Sequence, residues 1–335
     1  MPPPHGPLRV GVIGVGVIGK AHVRRLVSGA ADATLVAVAD ESTEHADAVA
    51  AEFGVDATRS VPELLARPDV DAVIVAIPSG LHAPVTVAAL EAGKHVLLEK
   101  PIDVTVEAAD QILDAEKRSG RTLSVVSQRR FAEANQFVFR AIRDGHLGRI
   151  TSATVEVALW RSQEYYDAGD WRGTWALDGG GALMNQGVHL VDLALWLLGE
   201  VDEVFAYTDL LAHERIEVED TVTITARLRS GALLTFLATT AAYDSVPIRY
   251  TVFGDGGSVV VESEQITHYT SKHGGQPPRP DGAPTDQQLA QLTDFVTAAR
   301  TGRPPLVTAA QARAAVAFIE AVYQSGRAGK PVRLH

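Results

Sequence analysis

Gly14-Val15-Gly16-Val17-Ile18-Gly19 follows a β-branched run that starts at Leu8 and opens a segment, Val17 to Ser28, with helical spacing. A GxGxxG turn between a strand and a helix is the context in which this pattern binds a dinucleotide. Gly14 permits the tight turn, Gly16 lets backbone approach a pyrophosphate, and Gly19 lets the helix pack on the strand. The helix start adds N–H donors and partial positive charge. Gly14 to Lys20 also fits GxxxxGK, but Ala21 stands where a phosphate-binding loop needs Ser or Thr for magnesium.

Beyond the turn, short apolar runs alternate with helical segments. Thr34–Ala39, Asp71–Ala76, Lys94–Leu98 and Leu123–Val126 read as buried strands. Ser42–Phe53, with Ser42 as N-cap, and segments near 82–92 and 103–118 read as helices. Ala72-Val73-Ile74-Val75-Ala76 is apolar without alternation, as in a parallel sheet covered on both faces. Residues 8–128 therefore read as a doubly wound α/β domain. After a helix near 134–144 strands dominate, at about 149–160, 202–211, 217–229, 232–241, 247–254 and 257–263, with a hairpin turn at Arg229-Ser230-Gly231. One long helix, 181–198, interrupts them, and two more close the chain near 285–300 and 309–325. Residues 129–335 read as an α+β substrate-binding and oligomerisation domain with a mostly antiparallel open sheet, residues 1–7 as a disordered tail, and 271–284 as a loop.

The chain has 335 residues, 46% hydrophobic and 21% charged, with a net charge of −11. That composition suits a globular protein and argues against a nucleic-acid surface. With no cysteine there is no disulfide, thiol catalysis or thiolate metal site. No apolar run reaches membrane-spanning length, and the first residues lack the pattern of a secretory signal, so the expected location is the cytoplasm.

Asp40 ends the second strand, 21 residues after Gly19, where a carboxylate accepts hydrogen bonds from ribose hydroxyls and repels a 2′-phosphate. NAD is therefore expected in preference to NADP. Lys100 follows Val96-Leu97-Leu98-Glu99 at the carboxyl edge of the sheet, where it can hold a substrate hydroxyl and pass its proton. In Asp178-Gly179-Gly180-Gly181-Ala182-Leu183-Met184-Asn185-Gln186-Gly187-Val188-His189, the i, i+4 spacing puts Asn185 and His189 on one helix face. His189 is a candidate general base, oriented by Asp192, and the glycines admit a ligand or the other domain. Two candidate ligands are too few for a metal site, and none is expected.

These stretches, with Ala76-Ile77-Pro78-Ser79-Gly80-Leu81-His82 and Ala92-Gly93-Lys94-His95-Val96-Leu97-Leu98-Glu99-Lys100-Pro101, resemble the glucose–fructose oxidoreductase / inositol dehydrogenase / MocA family over roughly residues 8–330. The resemblance implies a Rossmann domain, tightly held NAD(P), hydride transfer at a ring hydroxyl or ketone of a sugar, sugar derivative or cyclitol, and a homodimer or homotetramer formed through the open sheet. It implies proton handling by Lys100 and His189. It implies cofactor contacts from Gly14, Gly16, Val17, Ile18, Asp40, Pro78, Ser79, His82, Glu99, Lys100, Gln128 and Arg172. It implies substrate contacts from Asn185, Gln186, Trp171, Arg172 and Arg130. Asn185 replaces the aspartate of inositol-dehydrogenase-like members, which points toward sugar or sugar-nucleotide substrates, and Arg129, Arg130, Arg161 and Arg172 offer charge for an anionic substituent. The same scaffold also serves NAD-assisted glycosidases and non-catalytic NAD-binding regulators.

Overall fold

The computed structural model describes residues 6–29, 31–274, 276 and 286–334. Most of the expected tail, and most of the loop placed at 271–284, lie outside the described residues. The chain divides into two compact units: residues up to Val126 together with Asp286–Arg313, and Ser127–Thr285 together with Ala314–His335. A linear division at 128/129 thus misses the return of 286–313 to the first unit.

In the first unit the strands are β1 (Leu8–Ile13), β2 (Ala33–Ala39), β3 (Asp56–Ala57), β4 (Ala72–Val75), β5 (His95–Leu98) and β6 (Leu123–Val125). Between them lie α1 (Val17–Val27), α2 (Thr43–Phe53), α3 (Val61–Ala66), α4 (His82–Glu91) and α5 (Val106–Ser119). All pairings are parallel, in the order β3-β2-β1-β4-β5-β6. The order reverses between β1 and β4, and the carboxyl ends of those two strands form the crevice in which such sheets bind ligands. β4 is wholly buried, as its unbroken apolar run requires. Ser42 caps α2 by accepting from His45 N.

The second unit contains α6 (Glu133–Arg143), β7 (Ile150–Ala158), the short α7 (Gln163–Asp167), α8 (Val188–Leu198) and β8 (Val201–Asp209). It continues with β9 (Thr221–Leu228), β10 (Leu233–Thr239), β11 (Arg249–Gly254), β12 (Gly257–Glu262) and β13 (Gln265–Ser271). Two helices follow, α9 (Gln287–Thr301) and α10 (Ala309–Ala328), before β14 (Val332–Arg333). α9 lies in the first unit: Leu292, Phe295 and Val296 join its core, and Gln291 Nε2 donates to Val125 O at 2.8 Å. The eight-stranded sheet runs β13-β12-β11-β7-β10-β9-β8-β14 and is antiparallel except between β7 and β10. β9 alternates buried and exposed residues along its length, so one face is covered and the other open. On the covered face, Leu190, Leu193, Ala194 and Leu197 of α8 pack over Ala153, Val155, Tyr250 and Val252. Among the described residues, no helix is long and apolar enough to cross a membrane.

The single helix expected over 181–198 has two parts. Ala182–Gly187 is a π-helix and α8 follows it. The glycines before it serve the unit's own packing. A Cβ on Gly181 would lie 1.8 Å from Glu219 O, and one on Gly180 would lie 2.1 Å from the Tyr323 hydroxyl. Glu219 then caps the helix start: its carboxylate accepts from Gly181 N and Leu183 N, each at 2.9 Å, and from the Tyr323 hydroxyl at 3.0 Å. Burial raises its pKa from the ordinary 4.5 to about 7, against the opposing pull of the Leu183 and Gly181 N–H groups.

Two outcomes follow from these contacts. A folded-state pKa above the unfolded one gives stability that is full below pH 4.5 and is lost as pH rises through about 7. Thermal unfolding followed from pH 4.5 to 8 is expected to show that decline in the parent chain, on the order of 3 kcal/mol, and a flatter profile in Glu219→Gln. Gly19→Ala, which would place a Cβ 1.8 Å from Gly14 O, is expected to cost about 1–3 kcal/mol in urea unfolding.

Candidate active site

The glycine turn has the geometry its residue types imply. Gly14 adopts φ +84°, and a Cβ there would meet Ala76 O at 2.4 Å. Its N–H donates to Ala39 O at 2.8 Å, which ties β1 to the end of β2. Gly16, the residue before α1, has no atom within 4 Å of where a Cβ would stand. Beside it Val17 is 83% exposed and Ile18 is also exposed, although both are apolar. An open cradle at a helix start, walled by bare apolar side chains, fits a dinucleotide pyrophosphate and its flanking groups. Asp40 closes the turn from the other side. Its Oδ2 accepts from Val15 N at 2.8 Å and its Oδ1 from Ser42 N at 2.9 Å. A carboxylate has about four lone-pair sites, so acceptor capacity remains for ribose hydroxyls.

The next two strand ends supply Pro78, Ser79, Glu99 and Lys100. Pro78 leads into a 3-10 turn, Ser79–Leu81, in which Ser79 is buried. His82 does not fit the cofactor contact expected of it. It is fully buried, with Nδ1 2.8 Å from Pro101 O and Nε2 3.0 Å from Ile77 O. Its ring braces the loop after β4 against the turn after β5, and burial holds its pKa below the usual imidazole range despite the Pro101 carbonyl. Glu99 is likewise turned inward. Its Oε1 lies 2.9 Å from His22 Nε2, and its Oε2 accepts from Lys100 N at 3.1 Å. Burial pushes the Glu99 pKa up, but His22 and Lys100 bring it below the ordinary carboxylate value. Lys100 is half-buried at the carboxyl end of β5.

In the second unit, Asn185, Gln186 and His189 are half-buried within an otherwise buried stretch, Gly181–Leu190. A π-turn at this point matches the tendency of such turns to occur at functional sites. Asn185 Nδ2 donates to Asp178 Oδ1 at 2.7 Å. Gln186 Nε2 donates to the Tyr165 hydroxyl at 3.2 Å, and its Oε1 accepts from Arg161 Nη2 at 2.9 Å. The Arg172 guanidinium lies 5.0 Å from the Tyr165 ring centroid and 4.9 Å from that of Trp171. Gln186 and Arg172 thus meet at Tyr165, with Trp171 beside Arg172 and Asn185 beside Gln186. No pattern in Gln163-Glu164-Tyr165-Tyr166 marks that ring as part of a site. Gln128 Oε1 is buried with no hydrogen-bond partner among the described residues.

Two expectations need correction. Arg130, expected at the substrate, is 1% exposed and makes a two-pronged pair with Asp192, Nε to Oδ2 at 2.7 Å and Nη2 to Oδ1 at 2.6 Å. Its guanidinium also lies 5.5 Å from the centroid of Trp196. Asp192, expected to orient His189, is held by Arg130 and by the Ser127 hydroxyl instead. A buried carboxylate takes the charge partner that offsets its desolvation, and a guanidinium fork does this better than a neutral ring.

Residues 8–127 match the model of an oxidoreductase family with an NAD-binding Rossmann fold, and residues 136–260 match the GFO/IDH/MocA C-terminal domain. The structure of the WlbA dehydrogenase from Bordetella pertussis, in complex with NADH and UDP-GlcNAcA, is similar at TM-score 0.90 and 34% identity, covering 98% of this chain and 99% of that one. Inositol 2-dehydrogenase 2 of Saccharopolyspora erythraea is 31% identical over 96% of this chain and 94% of its own length. The dTDP-3,4-didehydro-2,6-dideoxy-alpha-D-glucose 3-reductase of Streptomyces antibioticus is 31% identical over 90% of this chain and 91% of its own. With a GxGxxG turn at the switch point of a parallel sheet, and both parts of the chain matched, this protein belongs to the GFO/IDH/MocA family of NAD-binding oxidoreductases.

Proposed function

We propose that the protein moves a hydride between NAD and a ring hydroxyl or ketone of a sugar, sugar derivative or cyclitol, with Lys100 and His189 as its proton-handling residues. The observation that carries this reading is Lys100 at the end of β5, two strands along the same carboxyl edge from the glycine turn. The relatives' substrates support it: a sugar nucleotide in the WlbA complex, an inositol and a dTDP-sugar in the two dehydrogenase and reductase relatives. When bound, NAD supplies the hydride acceptor or donor. The open cradle at Gly16 receives its pyrophosphate, Asp40 its ribose, and the unsatisfied Gln128 Oε1 offers it an acceptor.

The Lys100 ammonium holds the reacting oxygen and stabilises negative charge on it, and the His189 imidazole takes or returns its proton. Asn185, Gln186, Trp171 and Arg172 fix the sugar ring. Arg130 acts at a distance, by holding Asp192 on α8 three residues from His189. We assign the open face of the eight-stranded sheet to a homodimer or homotetramer. Alternation puts the exposed Tyr207, Leu233 and Phe253 on that side.

Incubated with NAD and a panel of pyranoses, inositols and sugar nucleotides, the protein is expected to produce NADH, read by absorbance, with at least one member. With that substrate, Lys100→Met is expected to lower kcat by at least about a thousandfold and His189→Ala by about 10²–10⁴, while NAD still quenches tryptophan fluorescence. Undiminished turnover in Lys100→Met discards the assignment. Asp40→Ala is expected to weaken NAD about tenfold and to raise relative use of NADP; an unchanged cofactor ratio argues against the ribose role.

A further inference from the structure

Four arginines invite comparison. Arg129 pairs with Glu264 at 2.7 Å and Arg130 with Asp192 at 2.6 Å, so each has its counter-charge inside the chain. Arg161 and Arg172 differ. Arg161 donates to Trp160 O at 3.1 Å and to Gln186 Oε1 at 2.9 Å, and Arg172 donates to Ala168 O at 3.1 Å. Every one of these acceptors is neutral. The Nε of each is sealed from solvent and lacks an acceptor among the described residues. Both guanidiniums lie over one ring, that of Tyr165, at 5.3 and 5.0 Å from its centroid. Two half-buried cations therefore share one aromatic platform without a carboxylate partner among the described residues, in a chain that carries 41 acidic residues. Stacking offsets part of their desolvation but does nothing for their mutual repulsion.

We propose that Arg161 and Arg172 form the recognition site for an anionic substituent of the substrate, a carboxylate or a phosphate ester, with Tyr165 as its rigid backing. This rests on the hydride-transfer reading above for the identity of the molecule as a substrate. The anion supplies the missing counter-charge. Guanidinium forks suit planar and tetrahedral oxyanions, which a lysine pair would hold only as point charges. Gln186 couples this site to the catalytic helix, since its amide touches both Arg161 and Tyr165 three residues before His189. Occupancy by the anion thereby fixes the end of the π-helix that leads into His189. A neutral pyranoside would bind without that anchor.

The test uses the full chain with NAD and five probes: glucose, glucuronate, glucose 6-phosphate, UDP-glucose and UDP-glucuronate. NADH formation gives kcat/KM, and calorimetric titration of the same probes gives binding without turnover. Probes bearing an anion are expected to exceed glucose by about 10- to 100-fold in affinity, and Arg161→Met is expected to erase most of that margin while NAD affinity is unchanged. A margin for glucuronate over glucose and for UDP-glucuronate over UDP-glucose identifies a carboxylate. Equal margins for both UDP-sugars identify the diphosphate. Acid-selective, Arg161-dependent binding without NADH formation keeps the anion site and rejects the hydride-transfer reading for these sugars. Equal affinity for neutral and anionic probes, or a margin that survives Arg161→Met, overturns the proposal.

Discussion

Backbone meets backbone where α1 leaves the glycine turn, and the first unit is arranged around that contact. Gly19 sits against Gly14 O, and Gly14 against Ala76 O, so β1, β4 and α1 converge at distances that admit no side chain. That convergence places the helix start at the crevice between β1 and β4 and leaves Gly16 facing open space. Asp40 reinforces the arrangement through Val15 N. A bulkier turn would move the helix end, and with it the N–H groups and partial charge on which anion binding depends.

The second unit uses the same device for a different purpose. Gly180 and Gly181 let the helix start press onto Glu219 and Tyr323, and the Glu219 carboxylate satisfies N–H groups that helix geometry leaves without partners. Behind α8, the stacked rings of Phe139 and Trp196, with centroids 4.1 Å apart, hold the helix against α6, and the buried Arg130–Asp192 pair ties it to the turn that precedes α6. The polar residues at 185, 186 and 189 are thus presented by an element clamped at its start and along its length, which is how a site keeps its geometry through turnover.

Much of this was legible in the residues. The glycine turn and the unbroken apolar strands gave the parallel sheet, because period and turn chemistry are local. The features that stayed hidden depend on partners distant in sequence. Asp56–Ala57 is too short to carry a period, and β13, half-exposed at the sheet edge, has no clean alternation. The stripe on α9 says that the helix packs but not onto which unit. Spacing made Asp192 a neighbour of His189, yet an arginine 62 positions away took the carboxylate. Nothing local distinguishes a π-turn from an α-turn in Ala182–Gly187, since both suit the same apolar run.

That π-turn also bears on how this segment can vary. It accommodates one residue more than α-helical hydrogen bonding allows, so a single deletion within Ala182–Gly187 would let the ladder relax to ordinary α spacing. The helix on either side would keep its phase, because the wider turn had already absorbed the extra residue, and only the side chains inside the turn would change bearing. Asn185 and Gln186 lie inside it and would be re-aimed relative to His189 without either being replaced. Length in this stretch is therefore as strict a determinant as side-chain identity, and swapping it between proteins of unequal loop count would scramble the constellation even where each residue agrees.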